Sequence, residues 1–128
     1  GELDQVTDDH SWVEEMVRAG SLSKEEARTH PNRNVITRAI GLDSGVVVDT
    51  GVLAARDGDL IMPCSDGLNS MISDEEIHTV LEKSSSKNVC TNLITAANEA
   101  GGQDNTSIAV AYLGDKWRSL PPGGVSAR

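Results

Sequence analysis

The stretch that decides the fold is LIMPCSDGLNSMISDEEI, residues 60–77. It begins as an apolar run typical of a strand, changes character at Ser65, Asp66 and Gly67, and continues as a helix-forming segment. Glycine lets the backbone turn away without a side chain in its path, so Asp66 is predicted to be a rigid, accessible carboxylate at the end of a strand. A second stretch, GGQDNTSIAV at 101–110, has the same parts in reverse order: two glycines, Asp104 and a strand.

These two carboxylates converge if the two strands are neighbours. Like charges held close together repel each other unless a cation lies between them. Oxygen ligands without a nearby Cys or His favour a hard ion, Mg²⁺ or Mn²⁺. The alternative is that Asp66 is an ordinary turn or N-cap residue and Asp104 an ordinary loop carboxylate. Spacing alone favours this alternative, because Asp-Gly is among the commonest turn dipeptides.

Composition restricts the classes of partner. The chain has 128 residues, which predicts one domain, and a formal net charge of −9, which disfavours nucleic acid and anionic membranes. Hydrophobic residues make up 38%, yet there is no Phe and only one Tyr and two Trp, so the core is predicted to be aliphatic. Cys64 and Cys90 form no CxxC pattern, which indicates reduced thiols and a cytoplasmic protein without a zinc site. No apolar run of about 18 residues is present.

Four helices are predicted from capping residues and apolar spacing. Ser23 with Glu26, and Ser73 with Glu76, each form the capping-box pattern at the start of a helix. The four predicted helices are 12–19 (N-cap Asp9 or Ser11, stop at Gly20), a short helix after Ser23, 74–83, and 87–100.

Four strands are also predicted. Residues 3–6 form a short strand, and 46–55 are β-branched and predicted to pair with 60–64 in a hairpin through the turn RDGD. Pro63 removes a ladder donor and predicts an edge, bulge or strand end. The fourth strand lies in NTSIAVAYL, 105–113, and 115–128 is predicted to be a loose tail.

Four stretches in order carry a resemblance to a known family. They are VTDDHS (6–11), AGSLSKEEARTHPNRNVITRAIG (19–41), GDLIMPCSDGLNSMISDEEI (58–77) and GGQDNTSIAV (101–110). The chain resembles the PPM-type (type 2C) metal-dependent protein serine/threonine phosphatases, particularly the bacterial branch, from residue 1 to about 113. The resemblance implies an α+β fold, part of an α-β-β-α sandwich of two antiparallel sheets flanked by helices.

The resemblance also implies site residues and a reaction. Asp66 and Asp104 match aspartates that bind Mn²⁺ or Mg²⁺ in a dinuclear centre, where a metal-activated water attacks phosphoserine or phosphothreonine on protein substrates. Asn34 matches a position near a third metal, held through main-chain oxygen. No side chain is assigned as a catalytic group. His10 is interpreted as a hydrogen-bonding residue that stabilises a loop.

The family's N-terminal motifs are absent from this sequence. Residues 1–114 are therefore interpreted as the C-terminal half of the phosphatase domain, with the N-terminal half as a necessary partner and the isolated chain inactive. Two alternatives stay open. One is a catalytically inactive, truncated PPM-like binding or regulatory module, and the other is an unrelated α/β domain whose aspartates only cap turns.

Overall fold

The computed structural model describes residues 1–41 and 44–114. In chain order the elements are α1 (Trp12–Arg18), α2 (Lys24–Thr29), β1 (Leu60–Ile61), α3 (Asp66–Asn69), α4 (Asp74–Lys83), α5 (Val89–Glu99) and β2 (Ala111–Tyr112). The chain divides into two compact units. We call Asp4–Val52 the N unit, and Gly1–Leu3 together with the chain from Leu53 onward the C unit. The predicted tail at 115–128 lies outside the described residues.

The N unit is built on two short capped helices. Ser11 is the N-cap of α1, and its Oγ accepts a hydrogen bond from the Glu14 amide at 3.3 Å. The predicted capping box of Ser23 and Glu26 is present at the start of α2. Trp12 on α1 lies against His30, the C-cap of α2, with ring centroids 5.0 Å apart. Both predicted helices are therefore confirmed, since local capping determines where each begins.

The last segment of the N unit is held by an ionic cluster. Asp49 accepts hydrogen bonds from Arg38 Nη1 at 3.0 Å, and His10 Nε2 lies 2.6 Å from the same carboxylate. The hydrogen bond from Arg38 and, to a smaller extent, the one with His10 lower the pKa of Asp49 below its usual range. The interpretation of His10 as a loop-stabilising residue is confirmed.

The predicted strand at 46–55 is wrong. The structure has no regular secondary structure there, and Val47, Val48 and Val52 are more than two thirds exposed. A strand requires a backbone partner, and no other described segment pairs with this one. The β-branched composition therefore marks a strand-prone segment without a ladder partner among the described residues. The predicted strand at 3–6 is wrong too, because those residues form no ladder and Leu3 packs on the core of the C unit.

The core of the C unit is aliphatic, as composition predicts. Helix α5 packs on α4 and on α3, and Leu68, Leu93 and Val89 are fully buried in this packing. The complete buried cluster is Leu68, Ile72, Ile77, Leu81, Val89, Leu93 and Ala97. The predicted helices 74–83 and 87–100 are confirmed, as α4 and α5.

The sheet pairs strands that are far apart in sequence. β1 runs antiparallel to β2, with Leu60 opposite Tyr112 and Ile61 opposite Ala111, and an isolated bridge joins Cys64 to Ile108. The predicted hairpin of 46–55 with 60–64 is therefore wrong, although residues 57–58 do form a turn. The ladder stops before Pro63, as predicted for a residue without an N–H.

Helices with a small antiparallel sheet confirm the α+β class. Within 1–41 and 44–114 the sheet has two strands. None of the described helices is long and apolar enough to cross a membrane.

Removing the Ser73 cap is expected to destabilise the C unit. Ser73 Oγ accepts from the Glu76 amide at 3.3 Å, and the Glu76 carboxylate accepts from the Ser73 amide at 2.8 Å. We expect Ser73→Ala to cost about 1 kcal/mol in free energy of unfolding, measured by urea denaturation, and Ser73→Thr to keep most of it. Equal stability of the alanine variant and the unsubstituted chain would contradict this role.

The same box predicts a pH dependence. The hydrogen bonds from Ser73 lower the pKa of Glu76 in the folded chain. The stabilisation that ionised Glu76 gives to the folded chain is therefore complete at pH values above the ordinary pKa of Glu. This stabilisation is lost as the pH falls through the lowered pKa of Glu76 in the folded chain. The stability difference between the unsubstituted chain and Ser73→Ala is therefore expected to shrink below about pH 4. A difference that grows on acidification would contradict this sign.

Candidate metal centre

Asp66 stands at the first position of α3, immediately after Ser65. Ser65 is the N-cap, yet its side chain makes no capping bond to α3. Its Oγ instead donates to the Asn105 carbonyl at 3.1 Å and accepts from the Ser107 amide at 2.9 Å. The Asp66 side chain is exposed and forms no hydrogen bond or ion pair with another described residue. Both of its carboxylate oxygens are thus available to a ligand.

Asp104 lies in the loop between α5 and β2. Gly101 and Gly102, with φ of 133° and 54°, end α5 and direct the chain into this loop. The Asn105 amide donates to Asp104 Oδ1 at 2.6 Å, which fixes the carboxylate against its own backbone. The side chain is exposed.

The backbone beside one aspartate contacts the backbone beside the other. The Ser65 amide donates to the Ser107 carbonyl at 2.9 Å, and Thr106 Oγ1 donates to the Gly67 carbonyl at 2.9 Å. A Cβ placed on Gly67 would lie 2.3 Å from the Asn105 carbonyl oxygen, so only glycine fits. The condition named for convergence of the two aspartates, that the two strands are neighbours, is met, because β1 pairs with β2.

The donor chemistry of this pair fits a hard divalent cation. Both side chains supply carboxylate oxygen, which Mg²⁺ and Mn²⁺ prefer. Within the described ranges, no group of three or more His, Cys, Asp and Glu is arranged to hold a metal ion. Mg²⁺ takes six ligands and keeps several waters, so two carboxylates are a partial ligand set that needs water and further groups.

Asn34 lies in the N unit, exposed, in the turn at 31–34 that follows α2. The Val35 carbonyl beside it accepts from the Trp12 amide at 2.8 Å, which ties this turn to α1. Its role near a third metal stays a prediction.

Two hydroxyl residues were missed by sequence reasoning, namely Ser65 and Thr106. Both make hydrogen bonds across the contact between residues 65–67, where α3 begins, and residues 104–107, and we call these two segments the aspartate loops. The available signal was their position, because each lies within two residues of one of the predicted ligands. Sequence reasoning treated Gly67 as room for a turn, whereas the structure shows a close approach of a second backbone.

No protein-family model matches the chain. The serine/threonine phosphatase Stp of Listeria welshimeri is 41% identical to it over 107 residues, which are 83% of this chain and 42% of that protein. The structure of the S. agalactiae serine/threonine phosphatase superposes with a TM-score of 0.78 and 43% identity, covering 84% of this chain and 45% of that one. This chain is a homologue of the bacterial PPM-type serine/threonine phosphatases. The resemblance noted in the sequence is thereby confirmed.

A third relative has been solved with bound metal ions. The catalytic domain of the PPM-type relative PstP, solved in complex with two manganese ions, superposes with a TM-score of 0.74 and 34% identity over 90% of this chain. The chain spans about half the length of the relatives it matches, 42% of the Stp protein and 47% of the PstP chain.

Proposed function

We propose that residues 1–114 supply the C-terminal half of a PPM-type catalytic domain that hydrolyses phosphoserine and phosphothreonine on cytoplasmic proteins, using Mn²⁺ or Mg²⁺. The observation that carries the proposal is the contact between the loops of Asp66 and Asp104, held by Ser65, Gly67 and Thr106. That contact places two exposed carboxylates at the same end of one strand pair. PPM-type relatives of known structure, one with manganese, support the assignment.

The division of chemical roles follows from the residues present. A bound divalent metal supplies Lewis acidity and an activated water for attack on a phosphate ester. Asp66 and Asp104 would hold the cation through oxygen, and its positive charge would balance their two negative charges. Thr106 and Ser65 keep the two loops at fixed separation. No side chain of this half is assigned a covalent step.

The remaining half of the domain is the proposed partner. Val46, Val47, Val48, Val52 and Leu53 are 43% to 102% exposed in a segment without a strand partner among the described residues. A β-prone, apolar segment of this kind gains most by pairing with another strand that covers its side chains. We propose that this segment, 46–53, lies against the complementary half, which the relatives' greater length supports.

The alternative function, an inactive binding or regulatory module, is favoured by one observation. The described residues bring together two carboxylates but no larger set of metal-binding side chains. Such a module would bind Mn²⁺ weakly, if at all, and would not turn over substrate in any combination.

The test is reconstitution. The chain is combined with the complementary half of a PPM-type domain, in trans or fused in one polypeptide, which we call the reconstituted domain. We expect Mn²⁺-dependent release of phosphate from a phosphothreonine peptide by the reconstituted domain. The isolated chain is expected to hydrolyse p-nitrophenyl phosphate no faster than buffer with Mn²⁺.

Two outcomes would contradict the proposal. One is a folded reconstituted domain that binds Mn²⁺ but releases no phosphate, which would favour the binding module. The other is turnover by the isolated chain that survives repurification and disappears in Asp66→Ala, which would show that this half is sufficient.

A further inference from the structure

We propose that Thr106 and Ser65 are positioning residues that set the metal affinity of Asp66 and Asp104. The inference rests on the proposed function, and it concerns hydroxyls that donate to main-chain carbonyls. Both hydroxyls bond across the same contact, one from each loop. We call these two side chains the hydroxyl clamp.

The clamp joins main-chain atoms next to the ligands. Thr106 Oγ1 reaches the Gly67 carbonyl at 2.9 Å, directly after Asp66. Ser65 Oγ reaches the Asn105 carbonyl at 3.1 Å, directly after Asp104. The residue that follows each aspartate is thereby bonded to the opposite loop, so the separation of the two aspartate backbones depends on the clamp.

The regular sheet does not supply this restraint. β1 ends at Ile61 and β2 begins at Ala111, and beyond them an isolated bridge pairs Cys64 with Ile108. That bridge consists of two backbone bonds, from the Ser65 amide to the Ser107 carbonyl at 2.9 Å and from the Ala109 amide to the Pro63 carbonyl at 3.0 Å. Beyond this bridge, towards the aspartates, the two segments are joined by hydrogen bonds from the side chains of Ser65 and Thr106 instead of by backbone ladder bonds.

The hydrogen bonds of the Ser65 hydroxyl support a positioning role. A serine at an N-cap ordinarily accepts a bond from its own helix, which stabilises that helix. Ser65 makes no such bond with α3 and directs its Oγ to the other loop instead. The local capping bond is therefore absent while two bonds span the loops, at 3.1 and 2.9 Å.

Metal affinity depends on groups behind the ligands. Hydrogen bonds that orient ligating carboxylates commonly change metal affinity by about tenfold or more when removed. Two like-charged carboxylates separate in the absence of a cation, so a restraint that holds them together lowers the cost of binding one.

The test uses Thr106→Val, which keeps the shape and removes the hydroxyl, and Thr106→Ser, which keeps the hydroxyl. Mn²⁺ affinity of the reconstituted domain is measured directly, from the free-ion electron paramagnetic resonance signal. We expect about tenfold weaker binding for Thr106→Val and near-normal binding for Thr106→Ser. Activity of Thr106→Val should recover at high Mn²⁺, because occupancy and not turnover is affected.

Thr95→Val is the matched control. Thr95 Oγ1 also donates to a carbonyl at 2.9 Å, that of Thr91, but within α5 and away from the aspartates. Its Mn²⁺ affinity should equal that of the unsubstituted domain. Should Thr106→Val fail to fold, Ser65→Ala provides the same measurement from the other loop.

Unchanged Mn²⁺ affinity in Thr106→Val, or in Ser65→Ala, would overturn the positioning role, even if urea unfolding showed lower stability. Failure of the proposed function has a different signature, namely normal Mn²⁺ binding by the unsubstituted domain without phosphate release. No binding by a folded unsubstituted domain would overturn both.

Discussion

Replacing Asp66 or Asp104 by Asn in the reconstituted domain is expected to lower phosphopeptide hydrolysis about a hundredfold or more. Asparagine keeps the shape of the side chain and removes the anionic ligand, and a metal that polarises a phosphate lowers the activation barrier by several kcal/mol. The Asp66 side chain makes no hydrogen bond to another described residue, so its replacement should leave the fold intact. Part of the loss should be recovered at higher Mn²⁺ where it arises from lower occupancy.

The double variant separates a shared site from two independent ones. If both aspartates hold one cation, the second substitution acts on a site that the first has already emptied, and the two effects are not additive. Asp74→Asn is the control, because it removes the same charge from an exposed position in the first turn of α4. Full activity and unchanged Mn²⁺ dependence in both single variants would leave the turn-residue interpretation standing.

Gly67→Ala is expected to destabilise the 128-residue chain by about 2 to 3 kcal/mol, because the added Cβ cannot be accommodated. It would lie 2.3 Å from the Asn105 carbonyl oxygen and 2.9 Å from the carbonyl carbon, so a backbone must move. The free energy of unfolding is measured by urea denaturation, followed through the helical circular dichroism signal.

Gly51→Ala is the matched control for the glycine. Nothing lies within 4 Å of a Cβ at Gly51, so the same chemical change should leave stability equal or raise it slightly. If the Gly67→Ala chain were as stable as the Gly51→Ala chain, the two loops could move apart at little cost. The close approach of Asn105 to Gly67 would then not be important for stability.

Much of the helical structure could be predicted because its determinants are local. Ser23 and Glu26, like Ser73 and Glu76, are three residues apart, and each pair forms its capping box. The strands could not be predicted in this way, since a β-branched run does not specify its partner. The turn at 57–58 suggested a hairpin, but β1 pairs with β2 from the far end of the C unit.

In the candidate site, too, the features with local determinants could be predicted and those that depend on distant residues could not. The position of Asp66 at a strand end, and that of Asp104 before a strand, could be predicted from flanking residues. The reason for Gly67 could not, because it depends on the Asn105 carbonyl, which reaches it only after the chain has folded. Thr106 was missed for the same reason, since its bond partner is 39 positions away.

The pairing of distant strands also sets an order of events in folding. Ser65 meets Asn105 across 40 positions, and closing such a loop costs about 3 kcal/mol of chain entropy before any contact repays it. Helices α4 and α5 lie inside this loop and are adjacent in sequence, so they can pack first on microsecond timescales. The two carboxylates would then come together late. Opening of the strand pair alone would release a bound ion while the helices stay folded, so metal loss is expected to precede unfolding of the core.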